Sequence, residues 1–284
     1  SGINYFDTAR MYGDGLSEIH TGAVLRELDK TDLIIGTKVR IAGDEFKDIS
    51  RTIENQIDNS LKRLGIDTID IVYTHNTIGA ERNVSSGTLS VEDLSSIVQV
   101  FESAVASGKL QYWGFNGLGQ TDSVKEALRR YSPSGIHTCY NMLNPTSGYG
   151  LPKTFPYQNY EELMTLASED GIGTVGIRIL AGGALSGSLD RHPIAQQNVA
   201  PIATSSTFRE DVSRTPVFEV LVKEGFVNNL VEASVRFAIS NDNLDTALIG
   251  LSNFDQLKQA VDYANKGSLP QEALDKIKEI WAVS

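Results

Sequence analysis

The stretch ISRTIENQIDNSLKRLGIDTIDIVYTH, residues 49–75, contains one helix, one turn and one strand, and much of the chain repeats this pattern. In its first part, apolar residues recur at spacings of four, four and three, at Ile53, Ile57, Leu61 and Leu64. Such spacing places them on one face of an α-helix. The run over 69–74 is rich in Ile, Val and Thr, which is typical of a buried parallel strand. The stretch therefore predicts a helix over Ile49–Leu64 that is followed by a buried strand.

Short apolar runs alternate with longer amphipathic runs along the rest of the chain. The predicted strands are Ile3–Phe6, Leu33–Thr37, Ile69–Thr74, Tyr112–Phe115, Ile136–Tyr140, Thr174–Ile179 and Thr246–Ile249. The predicted helices are Ser17–Leu28, Ile49–Leu64, Val91–Ala106, Thr121–Arg130, Asn159–Glu169, Leu230–Ser240, Asn253–Ala264 and Gln271–Ala282. Strands that alternate with helices in this way run parallel and are joined by right-handed crossovers. The α/β pattern favours a (β/α)8 TIM barrel over an open doubly wound sheet.

The pattern supplies seven strands, whereas a barrel of this class has eight. The sequence starts at Ser1 and runs straight into an apolar strand, so we expect the first strand and helix of the barrel to be absent from this chain. No linker or change in composition divides the 284 residues, which predicts a single barrel domain over 1–284. Three long loops, over 76–90, 142–158 and 185–208, follow strands and would lie where barrel sites are built.

Composition argues against some classes of partner and predicts the cellular compartment of the protein. The net charge of −11 argues against a nucleic-acid partner and against anionic membranes, since both would repel the chain. No stretch approaches the roughly 18 consecutive apolar residues that a spanning helix needs. Cys139 is the single cysteine, which excludes an internal disulfide or a multi-cysteine metal site. These features, with no signal-peptide pattern, lead us to expect a cytoplasmic protein.

Four ionisable side chains lie at or just after the ends of the first three predicted strands. They are Asp7, Tyr12, Lys38 and His75. Taken singly, each has a common structural role, because a carboxylate after a strand often caps a helix and a lone histidine is more often structural than catalytic. On adjacent parallel strands these positions share one edge, so we expect the four side chains to converge.

Together these residues have the chemistry for transferring a proton to a carbonyl oxygen. The Lys38 ammonium would stabilise the phenolate of Tyr12, and Asp7 would offset the cost of burying that ammonium. His75 would donate a hydrogen bond to the carbonyl oxygen as negative charge develops there. No side chain supplies a hydride, so this arrangement requires a cofactor.

The sequence NYFDTA at residues 4–9, with Tyr12-Gly13 and Ser17-Glu18, resembles the opening motif of the aldo-keto reductase superfamily. The resemblance continues, in order, through GTK at 36–38, LGIDTID at 64–70, His75, GKL at 108–110, WG at 113–114 and IG at 249–250. It implies a (β/α)8 barrel with Asp7, Tyr12, Lys38 and His75 as catalytic residues. In this family the tyrosine is the general acid for reduction and the general base for oxidation.

The same resemblance implies a nicotinamide cofactor that binds without a Rossmann domain. Asn116 follows the strand where members hold the carboxamide with a Ser-Asn pair, and His137 stands where they have a glutamine, although a core histidine is the alternative. Arg178 lies within an apolar strand, where an arginine is costly unless it is paired. The glycines after it would admit phosphate oxygens to the backbone, or would simply form turns. The remaining expected contacts are Leu180, Gly182, Gly183, Ser186, Gly250, Ser252 and Gln256.

The family default for the cofactor is NADP(H), but this chain departs from it near the last strand. Gln256 stands where relatives often have an arginine for the 2′-phosphate, and no cation follows before Lys258. NAD(H) is therefore the alternative cofactor. The expected partner is a small carbonyl or sugar substrate, and the oligomeric state is not readable from the sequence.

Two other hypotheses stay open beside the enzyme. The first is a regulatory nucleotide-binding protein with this fold, for which ion-channel auxiliary subunits of the superfamily are the precedent. The altered Ser-Asn pair favours it, as does Ile177 in place of a tyrosine that stacks on the nicotinamide. The second is an inactive fragment, because a barrel without its first strand would have two unpaired edges.

Overall fold

The computed structural model describes residues 2–28, 32–152 and 154–282. The strands in these ranges are β1 (Tyr5–Asp7), β2 (Ile34–Val39), β3 (Ile69–Thr74), β4 (Ile78–Gly79), β5 (Leu89–Ser90), β6 (Leu110–Asn116), β7 (Gly135–Cys139), β8 (Gly173–Ile177) and β9 (Thr246–Ala247). The α-helices are α1 (Leu16–Glu27), α2 (Ile49–Leu64), α3 (Asp93–Ala106), α4 (Thr121–Tyr131), α5 (Leu163–Glu169), α6 (Phe208–Ser213), α7 (Val220–Lys223), α8 (Leu230–Ala238), α9 (Phe254–Ala264) and α10 (Gln271–Ala282). The 3-10 segments are Gly43–Lys47, Ala181–Ser186 and Thr215–Glu219.

The predicted elements agree closely with the observed ones. The bounds of α2, β3 and α10 are those expected from the sequence, and most others differ by one or two residues at an end. The helix predicted from Asn159 is an exception, since α5 begins at Leu163. Glu161 and Glu162 have φ angles of 49° and 57°, which a right-handed helix does not allow. None of the helices in the described ranges is long and apolar enough to cross a membrane.

The chain forms two compact units, of which the first comprises Ser1–His137 and Gly171–Gly173. Its sheet has the order β1-β2-β3-β6-β7, and every neighbouring pair is parallel. Because these strands are parallel, their carboxyl ends lie along one edge of the sheet. Asp7 is opposite Gly36 in the register, and Lys38 is opposite Tyr73.

Helix α2 is held against its neighbours by the apolar face that its sequence predicts. Ile53, Ile57 and Leu64 are at most 2% exposed, and burying each such side chain contributes about 1.5–3 kcal/mol. Helix α1 approaches α2 so closely that a Cβ atom at Gly22 would lie 2.1 Å from the Leu64 carbonyl oxygen. A glycine at this position is therefore a packing requirement.

The second unit comprises Thr138–Asp170 and Thr174–Ser284. Strands β8 and β9 pair in parallel, with Val175 opposite Thr246. Its core contains Tyr140, Phe237 and Trp281, whose indole Nε1 donates to the Met142 carbonyl oxygen at 2.8 Å. This bond satisfies the one polar atom of a buried tryptophan side chain.

Candidate active site

Three strand ends bring the predicted site residues to one edge of the first unit. Asp7 ends β1, Lys38 lies one residue before the end of β2, and His75 follows β3. The backbone amide of His75 donates to the Val39 carbonyl oxygen at 2.7 Å, which fixes the chain after β3 beside the end of β2. Tyr12 lies in the turn after β1, where its amide donates to the Ala9 carbonyl oxygen at 3.0 Å.

Lys38 and Asp7 form a buried ion pair. The Lys38 side chain is 4% exposed, and its Nζ donates to Asp7 Oδ2 and, at 2.9 Å, to the Thr8 carbonyl oxygen. Burial raises the pKa of Asp7, and the charge of Lys38 opposes that shift. A buried ammonium is costly without partners, so these two bonds are what allow it to lie beneath the site.

Tyr12 lies close to both the Lys38 ammonium and the His75 ring. Nζ of Lys38 is 4.8 Å from the centroid of the Tyr12 ring, and the rings of Tyr12 and His75 meet edge-on with centroids 5.8 Å apart. Tyr12 is 40% exposed, whereas Lys38 is buried. The structure thus brings Asp7, Tyr12, Lys38 and His75 together, with the phenol as the accessible member.

His75 is neutral at physiological pH. Burial, together with the positive charges of Lys38 and Arg40, lowers the pKa of His75 to about 4. Its Nδ1 is buried and has no hydrogen-bond partner within the described part of the chain. A neutral imidazole donates from one nitrogen and accepts at the other, so His75 can donate a hydrogen bond to a substrate oxygen.

The His137 side chain is buried and lies close to the Asp7 carboxylate. It is 2% exposed, its ring lies 4.0 Å from that of Tyr73, and its Nε2 is 3.7 Å from Asp7 Oδ1. Burial lowers the pKa of His137 well below the usual value, and the charge of Lys38 and electrostatic coupling to His75 act in the same direction. The expected carboxamide contact and the alternative of a core histidine are both compatible with this position.

The side chain of Asn116 is already occupied by backbone groups. Its Nδ2 donates to the carbonyl oxygens of His75 and Asn76 at 3.3 Å each, and its Oδ1 accepts from the Leu118 amide. Asn116 therefore ties β6 to the chain that follows β3. Its role as a carboxamide contact stays a prediction.

The other predicted cofactor residues lie in the second unit, after the ends of β8 and β9. Arg178 has a φ of 61°, and Gly182 and Gly183 have φ angles of 68° and 105°. Leu180 accepts a hydrogen bond from the Gly183 amide at 2.8 Å, and the Ser186 hydroxyl donates to the Gly183 carbonyl oxygen at 2.8 Å. These bonds fold residues 178–187 into a tight loop with positive φ angles at five positions, namely Arg178, Ala181, Gly182, Gly183 and Gly187.

Two hydrogen bonds, both of which involve Gln256, hold the turn after β9. The Ser252 amide donates to Gln256 Oε1 at 2.7 Å, and the Gln256 amide donates to Asn253 Oδ1 at 2.9 Å. Gly250, which precedes this turn, has open space where a side chain would be. Gln256 therefore helps to cap α9, a role that its position three residues after Asn253 could have indicated.

Sequence reasoning missed two arginines at the edge that carries Tyr12. Arg10 precedes Tyr12 by two residues, and Arg40 follows Lys38 by two. The Nε atoms of both are buried and have no hydrogen-bond partner in the ranges that the structure describes. The available signal was the position of Arg40 just after a predicted strand, two residues beyond Lys38, where barrel sites are built.

Known proteins match the chain along almost all of its length. The model of the aldo/keto reductase family matches residues 1–282. L-galactose dehydrogenase from Arabidopsis thaliana is 24% identical and aligns over 98% of this chain and 80% of its own. A probable voltage-gated potassium channel subunit beta from Oryza sativa subsp. japonica is also 24% identical, over 99% of this chain and 84% of its own.

Solved structures agree on the fold. The holo form of an aldo-keto reductase from Bacillus halodurans superposes with a TM-score of 0.70 at 24% identity, covering 98% of this chain and 83% of that one. This likeness confirms the predicted fold class, the α/β barrel. With the family model matched over 1–282, the chain belongs to the aldo/keto reductase family of oxidoreductases.

Proposed function

We propose that this chain interconverts a small aldehyde, ketone or sugar with its alcohol, using NAD(P)(H) as hydride carrier and Tyr12 as the proton-transferring residue. One observation carries the proposal. The buried Lys38 ammonium, held by Asp7, lies 4.8 Å from the centre of the Tyr12 ring. A cation at this position stabilises the phenolate that remains after Tyr12 has given up its proton.

The residues divide the proton chemistry between them. In reduction, the Tyr12 hydroxyl donates its proton to the carbonyl oxygen, and in oxidation the phenolate takes the alcohol proton back. Neutral His75 donates a hydrogen bond to the same oxygen and stabilises the negative charge that develops there. Asp7 keeps Lys38 in position beneath the phenol. The nicotinamide, when bound, supplies or accepts the hydride.

The residues present fit such a cofactor. The described side chains of the first unit supply a proton donor and a hydrogen-bond donor for a carbonyl, but none carries a hydride. In the part of the chain that the structure describes, Asp7 Oδ1 and His137 Nε2 are buried polar atoms without a hydrogen-bond partner, as is expected beside a polar ligand. His137 and Asn116 stay proposed contacts in this unit. In the second unit they are Arg178, Leu180, Gly182, Gly183, Ser186, Gly250, Ser252 and Gln256.

The choice between NAD(H) and NADP(H) depends on the turn after β9. The first turn of α9 carries Asp255, and the Gln256 amide oxygen is already bonded to the Ser252 amide. A 2′-phosphate in this turn would therefore meet an acidic residue, and no cation precedes Lys258. These features support use of NAD(H) beside the NADP(H) that the family resemblance implies.

The test follows the absorbance of NADH and of NADPH with a panel of aldehydes, ketones and aldoses. Tyr12→Phe is expected to lower turnover by at least about 100-fold, the lower range for general acid–base catalysis, while cofactor binding measured by fluorescence is retained. Tyr112→Phe is the matched control, because Tyr112 is a 56% exposed tyrosine on β6. Wild-type turnover in Tyr12→Phe would exclude Tyr12 as the proton donor. Cofactor affinities compared side by side test the choice between NAD(H) and NADP(H).

A regulatory nucleotide-binding protein is the second candidate. The match to a probable potassium channel subunit beta over 99% of this chain favours it. On this alternative, the wild-type protein binds a nicotinamide cofactor but turns over no member of the panel. Turnover of any carbonyl that depends on Tyr12 argues for the enzyme.

A further inference from the structure

Two arginines occupy the same edge of the first unit as the proposed catalytic residues. Lys38 lies in β2 and Arg40 follows the last residue of that strand, so both lie at its carboxyl end. Arg10 lies in the turn that carries Tyr12. Because the net charge of the chain is −11, a positively charged site has to be built locally from such residues.

Neither guanidinium has a close carboxylate partner. Within 2–28, 32–152 and 154–282, Arg40 forms no ion pair, and Arg10 has only Glu45, whose Oε1 lies 3.7 Å from its Nη2. The Nε atoms of both arginines are buried without a hydrogen-bond partner. A solvated surface arginine would keep its Nε in water, and a structural one would have it bonded. These two have neither arrangement.

The backbone of Arg40 is fixed from the other side of the chain. Oε1 of Gln56 accepts from the Arg40 amide at 2.9 Å, and Nε2 of Gln56 donates to the Arg40 carbonyl oxygen at 2.7 Å. One side chain thus holds both backbone groups of the residue. The backbone of Arg40 is therefore rigid, which reduces the conformational entropy lost when its guanidinium binds a ligand.

The loop opposite Arg40 leaves room for its head group. A Cβ atom at Gly87 would lie 3.3 Å from Arg40 Nη2, so any larger residue there would crowd the guanidinium. Gly87 has a φ of 72°, and its carbonyl oxygen accepts from Asn76 Nδ2 at 2.6 Å. The lack of a side chain at Gly87 therefore lets the loop lie close to the guanidinium.

The charge of Arg40 reaches the residues proposed to handle the carbonyl. It is one of the positive charges that lower the pKa of His75. Among the described residues, Asp7 balances the Lys38 charge and Glu45 balances part of the Arg10 charge, whereas Arg40 has no ion-pair partner. An anion bound at Arg40 would relieve that imbalance.

We propose that Arg40, assisted by Arg10, binds an oxyanion, namely the carboxylate or phosphate of a substrate whose carbonyl lies at Tyr12 and His75. A guanidinium presents paired N–H donors that match two oxygens of either group. The substrate class is then a short carbonyl compound with an acidic tail, and not a neutral aldehyde. This inference rests on the proposed function for its carbonyl chemistry.

The test compares matched substrates in wild type, Arg40→Met and Arg129→Met. Succinic semialdehyde against butanal tests a carboxylate, and glyceraldehyde 3-phosphate against glyceraldehyde tests a phosphate. Arg40→Met is expected to lower kcat/KM about 10- to 100-fold for the preferred acidic substrate, mainly through KM, with the neutral partner nearly unchanged. Arg129→Met is the control, because it removes one exposed positive charge from the last turn of α4. An equal loss on acidic and neutral substrates, or no loss on either, would overturn the proposal.

A second measurement does not depend on turnover. Inorganic phosphate is expected to raise the thermal midpoint of wild type and of Arg129→Met above that in chloride of equal ionic strength, and to do so less for Arg40→Met. Equal shifts in all three proteins would contradict an anion site at Arg40. If no carbonyl is turned over, the proposed function fails while this measurement still decides the site. If Arg40→Met does not fold, competitive inhibition of wild-type butanal reduction by phosphate supports the site, and absence of inhibition opposes it.

Discussion

The Nε2 atom of His137 lies 3.7 Å from Oδ1 of Asp7, and neither atom has a hydrogen-bond partner in the described ranges. The other carboxylate oxygen of Asp7 is bonded to Lys38. Because burial lowers the pKa of His137, the ring is neutral and can carry its hydrogen on Nε2. A shift of about 0.7 Å would bring the two atoms to hydrogen-bond distance. His137 is thus suited to be a positioning residue for the Asp7–Lys38 pair.

Replacing His137 should therefore move the acid limb of the pH–activity profile. In His137→Phe the Asp7 carboxylate loses a donor, and burial raises its pKa further, so activity is expected to fall at a higher pH than in wild type. In His137→Gln the amide can still donate, and the limb should stay close to the wild-type position. The profile of kcat/KM against pH measures both variants.

A histidine that only fills space gives a different result. In that case both variants lower the rate at every pH without moving the acid limb. The contrast between Gln and Phe therefore separates hydrogen bonding from packing.

The lowered pKa of His75 makes a prediction about stability against pH. In the folded protein the pKa is about 4, whereas in the unfolded chain it is close to 6.5. The unfolded chain therefore binds a proton first, and stability contributed by neutral His75 is present above pH 6.5 and is lost as pH falls towards 4. Between pH 7 and 5, wild type should lose more stability than His75→Gln, by at most about 2 kcal/mol.

Urea denaturation at the two pH values measures this difference. Other titrating groups, including His137, are present in both proteins and largely cancel. An equal loss in wild type and His75→Gln would show that His75 titrates normally in the folded state.

The close approach of α1 and α2 predicts a large effect from one methyl group. A Cβ atom at Gly22 would lie 2.1 Å from the Leu64 carbonyl oxygen, so Gly22→Ala forces the helices apart. We expect a loss of about 1–3 kcal/mol in the free energy of unfolding, as in other overpacked cores. Gly250→Ala is the matched control for stability, because no atom lies within 4 Å of the added methyl group. An unchanged free energy of unfolding in Gly22→Ala would mean that the helices separate at little cost.

Regular, repeated patterns were the predictable part of the fold. Helix α2 and strand β3 each carry a complete apolar period, and their bounds follow from the sequence. Helices α6 and α7 were missed, because six and four residues are too few to display a helical period. Ser17, the first residue of a predicted helix, lies inside α1, which begins at Leu16, and its hydroxyl accepts a hydrogen bond from Thr8 at 2.7 Å. Whether the Ser17 hydroxyl caps a helix or bonds to a distant residue depends on the tertiary structure, which the local sequence does not reveal.

The candidate site also has one part that the sequence predicts and one part that it does not. That Asp7, Tyr12, Lys38 and His75 converge follows from parallel strands, whose carboxyl ends share an edge. That the Arg40 guanidinium has no ion-pair partner among the described residues does not follow, because pairing depends on which side chains the fold brings near it. The sequence shows which charged residues are present, whereas their pairing with opposite charges depends on the tertiary structure.

Asn116 binds the carbonyl oxygens of His75 and Asn76, so the backbone beyond β3 is set by the fold itself. The conformational entropy of ordering His75 is therefore lost during folding and not when a substrate arrives. In kinetic terms, this residue should add little to the activation entropy of the chemical step.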